Sequence, residues 1–140
     1  MVFDQVQAKL DVLRANLEQL DRIPCGSRAE FVGDFRNVAA ALYLLQTSIQ
    51  ALIDVAGYLV SRHGLATPRT SHEVFERLEH AELVPPGTAA AVANMIGFRN
   101  RVVHLYDRVD DARVFEIFMM HRADLPRVLA LLFVVFVPLA

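Results

Sequence analysis

The chain has 140 residues, which suits one domain. Its net charge of −2 excludes a chain-wide basic field, so that any contact with nucleic acid must be local. Its hydrophobic fraction of 54% is high for a soluble chain, and we therefore expect apolar surface for a partner and an oligomer. The single Cys25 excludes an internal disulfide and a cysteine-based zinc site. We predict one domain over residues 1–140, cytoplasmic and without a signal peptide, because the first twenty residues carry charged and amide side chains.

The first two predicted helices follow from apolar residues that recur at steps of three and four. The first occupies the N-terminal twenty residues. Pro24 and Gly26 then break the chain, and a long second helix is predicted from Phe31 to Val60. The apolar stripe of the first helix is Val6, Leu10, Leu13, Leu17 and Leu20.

Two shorter helices follow, and each has a threonine at its predicted start. Thr70 and Glu73 have the capping-box spacing that opens a third helix. The Pro-Pro-Gly run at 85–87 ends it, and Thr88 is placed to cap a fourth helix that continues to about His104.

The last predicted helix begins at an acidic pair and ends in an apolar run. Asp110 and Asp111 suit a helix N-terminus, and Pro126 should kink or interrupt the helix. The run from Val128 to Ala140 spans 13 residues, short of the roughly 20 that cross a bilayer, so we expect core or interface and no membrane role. No alternating strand pattern competes, and the predicted fold class is all-α, an up-and-down bundle of about five helices.

The densest group of reactive side chains lies at the end of the fourth helix. At 100° per residue Arg99 and Tyr106 project in nearly one direction, and Asn100 and His104 in an adjacent one. Arginine can stabilise a pentacoordinate phosphate, and neutral histidine can take a proton from a ribose 2′-hydroxyl. These residues predict metal-free RNA cleavage, with a 2′,3′-cyclic phosphate and a free 5′-hydroxyl as products.

One histidine per motif is insufficient for a reaction that needs both a base and an acid. A two-fold dimer supplies a second copy, because an isologous interface brings the same patch of both subunits together. The alternative from spacing alone is structural: Arg99 pairs with an acidic residue such as Asp54 or Asp107, His104 is a partly buried histidine with its hydrogen bonds satisfied, and Tyr106 packs with its hydroxyl at the surface.

The same segment resembles the R-x4-H-x-Y signature of HEPN proteins of the HepT class, with Arg99, His104 and Tyr106 at matching positions. The preceding MIGFRN at 95–100 and the stretch LLQTSIQALID at 44–54 are also similar to that family. The likeness covers roughly residues 29–132, and the added tyrosine and asparagine make it more specific than an isolated R-x4-H.

The resemblance implies a homodimeric HEPN-like bundle with the motif at a cleft between subunits, and the role of toxin in a type VII-like toxin–antitoxin system. It implies an endoribonuclease that needs no metal, in which Arg99 and His104 are catalytic and Asn100 assists. It also implies a partner, a minimal nucleotidyltransferase antitoxin of the MntA type, which neutralises such toxins by transferring AMP to the tyrosine, here Tyr106. The sequence leaves open whether this partner modifies Tyr106 or simply blocks the cleft. Arg101 and Arg108 are candidate RNA contacts.

Two alternatives stay open beside this interpretation. A non-catalytic helical adaptor could bind a nucleotidyltransferase or nucleic acid through the same dimer cleft. His72, Glu76 and His80 lie along one face of the third helix, but they lack the H-E-x-x-H pattern of a zinc site. No glycine-rich nucleotide loop is present, so we expect no cofactor and no metal.

Overall fold

The computed structural model describes the backbone of residues 2–104 and 110–136, and side chains over 4–102 and 110–136. Every regular element in these ranges is a helix, which confirms the all-α prediction. The helices are α1 (Val2–Leu20), α2 (Arg28–Val32), α3 (Phe35–Arg62), α4 (Ser71–His80), α5 (Thr88–His104) and α6 (Asp111–Phe136).

The predicted long second helix is two helices, so the described residues contain six rather than about five. The break falls at Gly33 and Asp34, where Asp34 adopts an extended conformation and caps α3 by accepting from Arg36 N at 2.9 Å. Because an aspartate at an N-cap satisfies an orphan amide of the first turn, it starts a new helix rather than continuing the old one. Ser27 caps the short α2 in the same way.

The long helix α3 is the centre of the bundle and contacts each of the other five helices. Its inward face is almost wholly buried, from Val38 through Leu45 and Leu52 to Leu59. Within the described residues it is the one helix long and apolar enough to cross a membrane by length and composition, and 56% of that stretch is buried in the bundle. Such burial is what the core helix of a helical bundle shows, since its apolar surface is already covered by its neighbours.

Helix α6 continues through Pro126 without interruption. The sequence predicted either a kink or a break at this proline, and the break does not occur. Buried residues on both sides of the proline, Leu125 and Leu129, hold the helix against the core and offset the hydrogen bond that proline removes.

One face of the C-terminal run belongs to the core, with Leu132 and Val135 buried, whereas Val134 is 69% exposed. The ring of Phe136 stacks on Tyr58 of α3 with centroids 5.7 Å apart. Residues 137–140 lie outside the described part of the chain.

Side chains cap the N-terminal ends of α4 and α5. The sequence predicted the cap of α4 and did not predict the cap of α5. Thr70 caps α4 by accepting from Glu73 N at 3.2 Å, as the capping-box spacing predicted. Thr88 does not cap α5, because its hydroxyl donates to the carbonyl of Pro85 at 2.7 Å. The carboxylate of Glu79 takes that role and accepts from Ala89 N at 2.9 Å, which ties the start of α5 to α4.

Candidate functional site

The C-terminal half of α5 carries the predicted site and is anchored by the residues just before it. Met95, Ile96 and Phe98 are at most 1% exposed and fix the face of α5 that lies against the core. Arg99 and Asn100 follow directly and are half-buried, at the edge between core and solvent. Their depth in the fold is thus set by the apolar residues that precede them.

Arg99 and Asn100 are joined to each other. The Nη1 of Arg99 donates to Oδ1 of Asn100 at 3.0 Å, which fixes one end of the guanidinium. The Nε of Arg99 is buried and has no hydrogen-bond partner. A buried donor without a partner is costly, and a positioned guanidinium with free donors is suited to a phosphate, which offers several acceptor oxygens.

The structure describes the other predicted site residues only in part. His104 is the last residue of α5, five residues after Arg99, and its side chain lies outside the described residues. Tyr106 and Arg108 also lie outside them. Arg101 is exposed on α5. The structure therefore brings Arg99 and Asn100 together and leaves the geometry of His104, Tyr106 and Arg108 as a prediction.

The predicted structural alternative, in which Arg99 pairs with Asp54, is wrong. Asp54 lies on α3 and instead accepts from Lys9 Nζ at 3.1 Å and from Gln50 Nε2 at 2.9 Å. These partners come from α1 and from one turn earlier in α3, so both carboxylate oxygens of Asp54 are occupied there. Asp107, the other partner considered, is outside the described residues.

His121 of α6 is a buried histidine that lies beside α5, and the sequence did not predict this position. His121 of α6 is 2% exposed, and its ring packs at an angle against Phe98 with centroids 5.7 Å apart. Burial lowers the pKa of His121 below its usual 6.5; Asp124 opposes this shift, and Arg101 adds to it. The proximity to α5 arises only from the packing of α6 on α5, because His121 lies seventeen residues beyond His104 with no motif between them.

The three candidate metal ligands on α4 remain ordinary surface residues. His72, Glu76 and His80 are all exposed. Over the part of the chain that the structure describes, no group of three His, Cys, Asp or Glu side chains is placed to hold a metal ion.

Two relatives of this chain are named as nucleases. The sequence profile of the family described as Ribonuclease HepT-like matches residues 13–132. A tRNA nuclease HepT from Aphanizomenon flos-aquae is 28% identical over 110 residues, covering 79% of this chain and 75% of the relative. An mRNA nuclease HepT from Shewanella oneidensis is 23% identical over 121 residues, covering 86% of this chain and 90% of the relative.

Solved structures confirm the fold. A chain from the tri-AMPylated Shewanella oneidensis HEPN toxin in complex with MNT antitoxin superposes with a TM-score of 0.78 at 21% identity, covering 90% of this chain and 94% of the other. A toxin–antitoxin crystal structure with AMP-PNP gives the same TM-score at 20% identity, covering 91% and 96%. With a profile match that spans all but the first twelve and last eight residues, the chain belongs to the Ribonuclease HepT-like family.

Proposed function

We propose that this protein is an RNA-cleaving toxin that cuts RNA with Arg99 and His104 and needs no metal ion. The observation that carries the proposal is the guanidinium of Arg99, which is held by Asn100 and keeps a buried Nε without a partner. This group stands on α5 five residues before the histidine that the family signature matches. The names of the two relatives, a tRNA nuclease and an mRNA nuclease, support RNA as the substrate class.

In the proposed reaction the 2′-oxygen of the ribose attacks the neighbouring phosphorus in line. His104 of one copy accepts the 2′-hydroxyl proton as the P–O2′ bond forms. The P–O5′ bond breaks, and a protonated His104 from a second copy donates a proton to the departing 5′-oxygen. Arg99 neutralises the charge that builds on the non-bridging oxygens. The products are a 2′,3′-cyclic phosphate and a 5′-hydroxyl.

This mechanism requires a homodimer in which the motif segments of two subunits face each other. Large apolar side chains that remain exposed on the monomer support an interface: Phe35 is 79% exposed and Tyr43 60% on α3, and Met119 is 42% exposed on α6. We expect sedimentation equilibrium to give a dimer at the concentrations at which RNA is cut. A monomer that cuts RNA at full rate would contradict the two-histidine mechanism.

The proposed partner is a nucleotidyltransferase antitoxin that transfers AMP from ATP to Tyr106. The phenolic oxygen would attack the α-phosphorus, with pyrophosphate leaving. The AMP-modified toxin and the AMP-PNP complex among the similar structures support this class of partner. An anion attached two residues beyond His104 would compete with RNA for Arg99. We expect the partner and ATP to add AMP to the native chain and none to Tyr106→Phe.

The experiment that tests the proposal is cleavage of end-labelled tRNA and mRNA in EDTA. The native protein is compared with His104→Ala and Arg99→Gln. Two matched controls remove one histidine or one arginine elsewhere: His72→Ala on α4 and Arg62→Gln at the end of α3, both at exposed positions. We expect the native protein and both controls to cut RNA, and the two motif variants to lose at least 100-fold in rate.

The outcomes distinguish the proposed enzyme from a contaminating nuclease and from a non-catalytic adaptor. Equal cutting by His104→Ala and the native protein would reveal the contaminant. No cutting of either RNA class by unmodified, dimeric protein would favour the adaptor instead.

A further inference from the structure

A polar cleft of about 240 Å³ lies between α5 and α6. Asn94, Gly97 and Arg101 form its α5 wall, and Arg113 and His121 contribute from α6. The proposed cleavage reaction uses none of these side chains. The cleft is therefore a separate feature beside the motif helix.

The cleft contains a buried polar group without a protein partner. His121 forms part of its wall and is 2% exposed, and its Nδ1 is buried without a hydrogen bond. The Oδ2 of Asp124 is 4.0 Å from this nitrogen, beyond hydrogen-bond distance. A buried imidazole nitrogen left in this state costs stability, and a bound water, ion or ligand is one explanation for it.

Two arginines line the cleft, and one of them, Arg113, is paired with Glu116 on the same helix. Arg101 is exposed on the α5 wall. Arg113 donates from Nη1 to Oε2 of Glu116 at 2.9 Å, which leaves its other guanidinium donors available. Two guanidinium groups and an amide around one cleft match an oxyanion with several acceptor oxygens.

Gly97 lies in the α5 wall of the cleft. A Cβ placed at this glycine would meet no atom within 4 Å, so position 97 has room for at least a methyl group. Alanine is the better helix former, so helix stability alone does not favour glycine at this position.

The cleft lies on the side of α5 that also carries position 104. Positions 97, 101 and 104 are spaced at i, i+4 and i+7, which places them on one side of a helix. Position 104 is about 4.5 Å further along the axis than position 101. An RNA strand that is bound at position 104 and runs along this face toward the start of α5 would pass the cleft.

We propose that this cleft is a phosphate subsite that binds the RNA phosphodiester next to the one that is cut. Arg101 and Arg113 contact its non-bridging oxygens, and Asn94 and His121 line the cleft around it. The subsite deepens the proposed ribonuclease function and rests on it for the identity of the strand. Its phosphate binding can be measured without any cleavage.

The first test measures binding of a 2′-O-methyl oligoribonucleotide, which cannot be cut, over a range of salt concentrations. We expect Arg101→Gln and Arg113→Gln each to bind about 3- to 10-fold more weakly, and the salt slope to fall by about 0.7 for each lost contact. Arg62→Gln is the matched control. Arg62 lies one turn after Tyr58 on α3, and Tyr58 stacks on Phe136 at the C-terminal end of α6. Arg113 of the cleft lies near the opposite, N-terminal end of α6. Binding by both variants at the control level would overturn the proposal.

The second test uses inorganic phosphate as the probe and the ring protons of His121 as the reporter, assigned by comparison with His121→Gln. We expect phosphate to shift these resonances in the native protein and in Gly97→Ala, and not in Gly97→Leu, whose side chain fills the cleft. An unchanged His121 signal in the native protein would overturn the subsite. A shift together with RNA binding that ignores Arg101 and Arg113 would assign the cleft to a small phosphate and overturn its role in RNA binding.

The two proposals can fail independently. Arginine-dependent binding of the 2′-O-methyl strand without cleavage of ordinary RNA would support the subsite and refute the ribonuclease. Cleavage that depends on His104, with binding unchanged in Arg101→Gln and Arg113→Gln, would support the ribonuclease and refute the subsite.

Discussion

The guanidinium of Arg99 is oriented by the side chain of the next residue, Asn100, through an Nη1 to Oδ1 hydrogen bond of 3.0 Å. Both residues are half-buried, directly after the fully buried Phe98. In a helix, neighbouring positions point about 100° apart, so this contact draws the arginine toward the side of α5 that also carries position 104. Asn100 is thus a positioning residue for the group that we propose binds the scissile phosphate.

The first prediction concerns this contact. Asn100→Ala removes the acceptor for Nη1 and should lower kcat by about tenfold or more, because hydrogen bonds to charged groups contribute roughly 1.5–3 kcal/mol. Asn100→Asp keeps an acceptor oxygen but adds a negative charge near the substrate, so it should raise KM more than it lowers kcat. Steady-state kinetics on one RNA site measure both values. A kcat for Asn100→Ala equal to that of the native protein would remove Asn100 from the site.

The second prediction concerns the start of α5. Glu79 Oε1 accepts from Ala89 N, and its loss in Glu79→Ala should cost about 1 kcal/mol of unfolding free energy. Glu79→Gln retains an acceptor and should lose less. Glu76→Ala, an exposed glutamate on the same helix, is the control. Urea unfolding measures all four proteins, and equal losses for Glu76→Ala and Glu79→Ala would show that the cap is not stabilising.

The third prediction concerns the anchoring of α6. Phe31 is fully buried, stacks on Phe118 at 5.2 Å and contacts Phe115 at 5.4 Å, so that α2 is fixed to the first half of α6. Phe31→Ala should lower the unfolding free energy by about 3–5 kcal/mol. Val12→Ala on α1, at a position that is 46% exposed, should change it by less than about 0.5 kcal/mol. Similar losses for both variants would contradict the burial of α2.

The fourth prediction concerns pH. Burial lowers the pKa of His121 in the folded state, so below the unfolded value of 6.5 the unfolded chain binds more protons than the folded one. The contribution of a neutral His121 to stability is therefore complete above about pH 6.5 and is lost as the pH falls toward the lowered folded pKa. Asp124 moderates the shift, and Arg101 adds to it.

The measurement is the difference in unfolding free energy between the native protein and His121→Gln from pH 7.5 to pH 5. We expect the native protein to lose stability more steeply than the variant over this range. The variant keeps every other histidine, so the difference isolates position 121. Parallel curves for the two proteins would contradict a lowered pKa.

The sequence predicted the helices well where one apolar stripe faces the core, and failed where single side chains decide a boundary. The apolar period of residues 31–60 continues across Gly33 and Asp34, so periodicity alone merges α2 and α3. Thr88 is a good N-cap residue by type, but Glu79 is ten positions away from Ala89 and takes the role through tertiary contact. Contacts of this kind depend on how α4 lies against α5, which no local pattern encodes.

In the candidate site, too, neighbours in the sequence could be predicted and contacts between helices could not. Arg99 and Asn100 were predicted from the motif segment and are joined in the structure. His121 and Arg113 lie on α6 and meet the α5 residues of the cleft only after the two helices pack. No spacing rule connects position 97 to position 121, and so the cleft could not be predicted from the sequence.

The most direct test of the central claim is cleavage in EDTA at one mapped site of a synthetic RNA, compared with the same RNA carrying a single 2′-deoxyribose at that site. We predict that the native protein cuts the all-ribose strand to a 2′,3′-cyclic phosphate and a 5′-hydroxyl, that the deoxyribose blocks this cut, and that His104→Ala cuts neither strand. Cutting of the deoxyribose strand at that site, or an undiminished rate in His104→Ala, would contradict the proposed mechanism.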